Sequence, residues 1–449
     1  MTRQPPFIIL CTQDFRTRIP LLPLQQANTE ETQVKVILAG YNIDTENDSR
    51  TPETISAAYA RISRDPAPVT ELRRQAALEV DKARKSNKTI VYKYGHGSIA
   101  EHAVFNFDIL GLSRLAAEAV QSFRLLSFTE KSQRYIRIGE DWFLPEELQQ
   151  QSPVLKDLFH SYETILSGLL EAGLSKTEAR EDARYILPLA ATTQMGMTVN
   201  ARELEHMIRR LRAHPLAEVK RLADALYDAV LPVAPSLMLF TEPAGMDSIA
   251  HLHPAPVQGI GEVELLGCDS DERVAEWLTE LYGEPSFNRI YDNLGIHDAL
   301  PRFWELFRAD FRITLSATAY AQLKRHRMTT QLVTAYDSSL GITVPPSIQK
   351  AGLEELFRSQ CLKASSSVSS LGREADYFLT NAHRRQVRLC INGREFNHFI
   401  RLRDDAHAQW DIRGIASQMV ALVKHRAPET FRMTCGKSKW EEVTGKPAL

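Results

Sequence analysis

Arg325-His326-Arg327 places two guanidiniums around one imidazole. Guanidinium forks match phosphate oxygens, so the triad is a candidate clamp for phosphate or pyrophosphate. Its plainer reading is a cationic helix end that offsets the helix dipole. A second stretch, SFTEKSQRY, carries Glu130, Ser132, Arg134 and Tyr135. A hydroxyl, a guanidinium and loop amides so close together suit a phosphate monoester; a polar turn is the alternative. In the third, Asn392 is a natural helix N-cap, and Arg394 and His398, four apart, share a helix face. That trio occurs twice, since Asn200, Arg202 and His206 repeat its spacing.

Arg403 and His407 lie one helical turn apart in RLRDDAHAQW, where a solvated ion-pair face with Asp404 and Asp405 is the plain reading. Arg184, with Glu181 nearby, reads the same way. His96, His102 and His206 match no zinc-ligand spacing, so no metal is expected. No G-x-G-x-x-G opens a helix after a strand, and neither a Walker motif nor G-x-S-x-G is present.

These residues need a scaffold. Val104, Phe105, Phe107 and Ile109 read as a buried strand, and Leu112 to Leu126 as an amphipathic helix ending near Arg124, with a polar loop after it. Phe7–Cys11 and Val34–Leu38 read as strands, and Thr51 or Ser56 as the cap of the next helix. Residues 154–231 read as helices, with MTVNARELEHMIRRLR opening a long one. After a stretch dense in proline and glycine, VELLGC and 311–315 read as strands, and 271–282, 317–328 and about 350–380 as helices. The final stretch, from CINGREF to VKHR, reads as one more. The pattern predicts two diverged copies: a first domain over 1–232, a linker over 233–262 and a second domain over 263–449. Each is expected to be α/β of the α+β type, a mostly antiparallel sheet with long helices.

The 449 residues hold 54 basic and 56 acidic side chains, a net charge of −2, which argues against a nucleic-acid footprint. Any bound anion must be held by local arginines. Five widely spaced cysteines and the lack of a C-x-x-C motif point to a reducing, cytoplasmic setting. No apolar run approaches the ~20 residues that span a bilayer.

Together the motifs resemble the flavin-dependent thymidylate synthases, the ThyX family, as two partly degraded copies over nearly the whole chain. The family's marks are R-H-R with a serine following, S-x-R-Y, G-H-x-S/T, A-R-x-x-L-P, N-A-R-x-L and L-R-x-D-x-H-A-Q-W. In the first half, the resemblance implies that His96 and Ser98 of GHGS lie by FAD and that Asn200, Arg202 and His206 form a FAD-binding helix start. Glu130, Ser132, Gln133 and Arg134 match the nucleotide loop, and Arg184 matches a dUMP-binding arginine. R-H-R itself has become Ser122-Phe123-Arg124, and the late arginine position is Leu211. In the second half, Gln322, Arg325, His326 and Arg327 are intact, and Asn392, Arg394 and His398 match flavin positions. Arg325 is implied in binding both dUMP and FAD. Arg403 matches the arginine credited with ionising N3 of the pyrimidine, a catalytic and substrate-binding role. There the signature serine is Ala335, and A-R-x-x-L-P reads ADYFLT.

The resemblance implies FAD as cofactor, with NADPH and methylenetetrahydrofolate as co-substrates in the conversion of dUMP to dTMP. The losses are complementary, so the expected site combines Glu130, Ser132 and Arg134 with Gln322, Arg325–Arg327 and Arg403. Two chains would pair as a homodimer that rebuilds a pseudo-tetramer, with a small nucleotide as the ligand and neither nucleic acid nor membrane as a partner. Two other readings stand beside it: a flavin-dependent C5-methyltransferase on UMP or another uridine nucleotide, and a non-catalytic flavin- or nucleotide-binding paralogue.

Overall fold

Phe105, Phe107 and Ile109 alternate with open positions along a single strand and point into one core, as period-two patterning requires. They belong to a computed structural model that describes residues 34–46, 51–259, 261–283, 287–366 and 371–448. The Phe7–Cys11 strand expectation lies outside the described residues. The first sheet contains β1 (Lys35–Tyr41), β2 (Val104–Ser113), β3 (Leu126–Glu130) and β4 (Thr192–Asn200), all antiparallel in the order β1-β2-β4-β3. The second contains β5 (Val263–Cys268), β6 (Arg308–Ser316), β7 (Thr330–Val333) and β8 (Arg384–Asn392), antiparallel in the order β5-β6-β8-β7. The path is the same in both, so the fold is α+β, built twice.

The equivalence holds down to the caps. Ser113 Oγ accepts the Ala116 N–H at 2.9 Å, and Ser316 Oγ accepts the Ala319 N–H at 3.0 Å. Asn200 and Asn392 each cap a helix by accepting the N–H of Glu203 and Glu395, both at 2.9 Å. These registers pair Ser132, Gln133 and Arg134 with Ala335, Tyr336 and Asp337. They likewise pair Arg184 with Asp376 and Leu211 with Arg403.

Several boundaries differ from the sequence reading. The helix after β2 is only Arg114–Gln121; Leu112 belongs to β2 and Leu126 begins β3, so part of the expected polar loop is strand. MTVN is the end of a strand, and the long helix expected there is two, Ala201–Arg212 and Ala217–Val230. CIN likewise ends β8, before helices Gly393–Arg403 and Trp410–Arg426. In both places a strand runs straight into an Asn cap, so apolar residues of one period continue into the next and hide the junction. The helices expected over 317–328 and 350–380 are shorter, Ala317–Leu323 and Glu354–Ser366. Thr51 accepts the Glu53 N–H at 3.2 Å from just outside its helix. No described helix is long and apolar enough to cross a membrane.

Gln33–Leu449 forms one compact unit, because the two sheets are joined along a crossed seam. The segment 185–190 runs antiparallel to 377–382. Leu189 N–H donates to the Leu379 carbonyl at 2.7 Å and Asn381 N–H to the Leu187 carbonyl at 2.9 Å. Two tyrosines cross with the backbone. Tyr185 OH donates to Asp411 at 3.0 Å, beside Ser316 Oγ. Tyr377 OH donates to Glu218 at 2.9 Å, beside Ser113 Oγ. Each carboxylate thus joins its own half's helix cap to the other half's tyrosine. Apolar packing follows, with Tyr336, Ile348, Phe357 and Phe378 of the second half in the core of the first. The proline-rich stretch is also tied down: Gln386 holds both the N–H and the carbonyl of Val257 at 2.7 Å.

Glu218 is fully buried and accepts three hydrogen bonds, from Ser113 N–H, Ser113 Oγ and Tyr377 OH. Glu218→Ala should cost about 3 kcal/mol by leaving those donors unpaired, and Tyr377→Phe about 1 kcal/mol. Urea unfolding of both variants measures this, and equal effects would contradict the seam's arrangement.

Candidate active site

The Ala317–Leu323 helix stops at Lys324, which leaves Arg325, His326 and Arg327 in the turn that follows. Arg325 is exposed and His326 is buried. His326 Nε2 accepts from Arg403 Nε–H at 3.0 Å, and its Nδ1 lies 3.0 Å from Glu395 Oε1. Arg403 closes the Gly393–Arg403 helix and reaches Gln322, at 3.5 Å to Oε1 and 3.4 Å to the carbonyl. Of the ion-pair face expected for Arg403 and His407, only the exposed His407–Asp405 pair forms, and Arg403 takes no part. The helix has already ended, Asp404 binds Lys439 and Ser417, and exposed His407 turns to Asp405. Arg327 donates to the Arg124 carbonyl at 2.8 Å, and Arg124 to the Thr329 carbonyl at 2.7 Å.

In the first half, β3 ends on Glu130, which accepts from Arg114 at 3.2 Å and from Gln121 at 2.9 Å. Ser132 Oγ accepts the Arg134 N–H at 3.2 Å. Arg134 pairs with Glu181 and rests over Tyr135. Arg184 follows the Lys176–Ala183 helix and donates to the Glu181 carbonyl, since the Glu181 carboxylate is taken by Arg134. Asn381 of the second half spans the loop, donating to Gln133 Oε1 at 3.2 Å and to the Arg184 carbonyl at 2.9 Å.

The two sets act on one another. Burial, then Arg325 and Arg134, bring the Arg403 guanidinium down to about 10. It is still a cation at neutral pH. Burial pushes Glu130 up, but Arg114, Lys324 and Arg325 outweigh it and hold the carboxylate low. Burial lowers Arg184, with Arg134 and Arg114 adding to the effect. Arg114, Arg134 and Arg184 of the first half and Arg325 and Arg403 of the second therefore share one electrostatic neighbourhood. Gln133 Nε2, Arg184 Nη2 and Gln322 Nε2 are buried there with no hydrogen-bond partner among the described residues. Excess positive charge with spare donors is a site for an anion.

The equivalent place across the seam is filled. Tyr336, where the other copy has Gln133, donates to Glu118 at 2.9 Å. Arg385 donates to the same carboxylate at 3.0 Å and lies over the Tyr336 ring at 4.2 Å. Asp337 and Asp376 stand where Arg134 and Arg184 would be.

The family model for thymidylate synthase complementing protein matches residues 46–236 and 269–429, one stretch in each copy. Among curated relatives, the flavin-dependent thymidylate synthase of Geobacter sulfurreducens is 31% identical over 194 residues, 41% of this chain and 80% of that one. The chain belongs to this family. The flavin-dependent thymidylate synthase of Clostridium tetani is 29% identical over 212 residues, 43% of this chain and 83% of that one. For the Pyrococcus horikoshii enzyme the figures are 38% over 124 residues, 26% of this chain and 49% of that one. A solved UMP/dUMP methylase, PolB from Streptomyces cacaoi bound with 5-Br dUMP, is 20% identical, with a TM-score of 0.37 over 46% of this chain and 93% of that one.

In this thymidylate synthase relative the expected flavin residues fall into two groups. Asn392, Arg394 and His398 line a cavity of about 280 Å³ together with Met328, Arg401 and Lys437. Cationic and amide donors beside apolar walls fit a flavin's diphosphate and part of its rings. Arg394 is steadied by Glu305 at 2.9 Å and the Leu300 carbonyl at 2.8 Å. In the first half, Arg202 pairs with Glu101 at 2.5 Å, and His206 sits edge-on to Phe123. His96 and Ser98 are exposed, His96 lying 3.4 Å from Arg64. No group of residues able to hold a metal occurs among the described residues.

Lys324, Arg114, Asn381 and Glu395 are absent from the sequence reading. Lys324 directly precedes the Arg-His-Arg triad, which is the one signal that could have flagged it. It lies 3.9 Å from Glu118, and burial lowers its amine to about 7, with Arg114 and Arg325 helping and Glu118 opposing. An added anion beside Arg325 must raise that value. At pH 8, binding of a nucleoside monophosphate should therefore draw protons from the buffer. Calorimetry in buffers of different ionisation enthalpy measures the uptake, and Lys324→Met should abolish it.

Proposed function

We propose that the chain is an FAD-dependent thymidylate synthase that converts dUMP to dTMP at a composite site made by its two halves. The first half supplies Glu130, Ser132, Gln133, Arg134 and Arg184, and the second Gln322, Arg325 and Arg403. What supports this reading is the contact between the halves there: Asn381 of the second half holds Gln133 and the Arg184 carbonyl of the first, and burial, with Arg325 and Arg134, lowers the Arg403 guanidinium. Family membership supplies the chemistry. Chain pairing as a homodimer would give a pseudo-tetramer with two such sites.

When bound, FAD supplies the hydride chemistry, with NADPH as reductant and methylenetetrahydrofolate as the one-carbon donor. Arg327, Asn392, Arg394 and His398, with Arg325 and the first-half set His96, Ser98, Asn200, Arg202 and His206, are the residues proposed to hold it; His326, expected among them, is buried with both ring nitrogens engaged by Arg403 and Glu395. The protein's own part is placement and charge. Arg134, Arg184, Arg325 and Ser132 take the phosphate of dUMP. The pyrimidine C5 is a weak nucleophile, and negative charge at N3 enriches it. Arg403 stabilises that charge without accepting a proton itself.

Tritium release from [5-³H]dUMP in the presence of NADPH and methylenetetrahydrofolate tests the reading, with labelled UMP in parallel. Release from dUMP is expected, and its absence would overturn the proposal. Arg403→Ala should lower turnover by roughly 10²-fold or more with flavin content retained. Titration should saturate at one nucleotide per chain, because Tyr336, Glu118 and Arg385 occupy the second location. Two per chain would contradict this.

A further inference from the structure

Arg403 is held closely at one end and loosely at the other. Its Nε–H donates to His326 at 3.0 Å, while its contacts to Gln322 are long, at 3.4 and 3.5 Å. Arginine only donates, so the imidazole nitrogen facing it must be bare. A neutral imidazole then carries its proton on the other nitrogen, Nδ1, which lies 3.0 Å from Glu395 Oε1. The two neighbours allow one tautomer only. The ring cannot turn easily: it is 4% exposed and meets Phe399 edge-on at 4.8 Å. The backbone that carries the carboxylate is fixed too, because the Glu395 N–H donates to Asn392 Oδ1 at 2.9 Å.

The other copy shows what is specific. Glu203 occupies the same place and is capped by Asn200 in the same way. There Phe123 replaces His326 and Leu211 replaces Arg403. The Glu203 carboxylate turns to the Leu125 N–H at 3.3 Å and to His206 at 3.7 Å. The glutamate serves its helix start in both halves, but only Glu395 meets an imidazole that in turn holds a guanidinium.

We propose that Glu395 and His326 are positioning residues for Arg403: a carboxylate holds the imidazole in its Nδ1–H tautomer, and the imidazole holds the guanidinium toward the nucleotide. A buried carboxylate that fixes an imidazole tautomer is an established physical device. Without Glu395 the proton moves to Nε2 in part of the population, and two donors then face each other across the Arg403 contact. The inference rests on the role of Arg403 proposed above.

The test uses the full-length chain with Glu395→Ala, Glu395→Gln and Glu203→Ala. ¹⁵N NMR of histidine-labelled protein without added nucleotide should show a single Nδ1–H tautomer for His326, assigned by its loss in His326→Gln. Glu395→Ala should give a tautomer mixture. Glu395→Gln should keep the single form, since an amide oxygen still accepts from Nδ1–H. In the tritium-release assay, Glu395→Ala should lower kcat by about 10- to 100-fold. KM for dUMP and flavin content should be nearly unchanged, and Glu395→Gln should recover most of the loss. Glu203→Ala should keep the wild-type kcat. An unchanged tautomer in Glu395→Ala, no recovery in Glu395→Gln, or a loss that follows flavin content would each overturn the relay. If the wild-type chain releases no tritium, the proposed activity fails while the tautomer result still decides the relay.

Discussion

Two buried carboxylates, Glu218 and Asp411, hold the halves of this chain together by the same hydrogen-bonding pattern used twice. Each accepts from the serine that caps its own half's helix and from a tyrosine that arrives from the other half. The tyrosines lie on segments that exchange backbone hydrogen bonds, so neither can shift without breaking the other. Register across the seam is thereby fixed. Every later feature, from the Asn381 span over Gln133 to the field of Arg134 on Arg403, needs that register.

Charge makes the two related locations differ. At one, arginines from both halves act on one another, and the buried Nε2 groups of Gln133 and Gln322 have no hydrogen-bond partner among the described residues. Such a cluster opposes folding on its own and is relieved by a bound anion. At the other, Glu118 neutralises Arg385, and the rings of Tyr320 and Tyr336 cover the guanidinium. That place is satisfied without a ligand. The contrast follows from a handful of substitutions within one shared backbone.

The duplication could be read from residue spacing, whereas the complementary motifs became legible only through the resemblance to the family. The two asparagine caps could be read from spacing as well, because an Asn before a helical period has one good use. β4 escaped notice because MTVN runs without a break into the amphipathic period of the following helix. The seam was also hidden. Tyr185 and Tyr377 are ordinary core residues by type, and their partners lie over 150 positions away in sequence. Glu395 carries no signal of its own in the sequence. Only the fold places it behind His326.

In an oligomer of identical subunits, any substitution appears at every symmetry-related position at once, so Asp at the Arg134 position would damage every copy. In a single chain that holds both copies the tie is gone, and Asp337 and Asp376 can stand where Arg134 and Arg184 stand in the other copy. Two copies of residues 34–232 would bring no Arg325 or Arg403, and two copies of 263–449 would bring no Arg134 or Arg184. Neither half alone carries the full set proposed for the site, and the whole chain is the smallest unit that does.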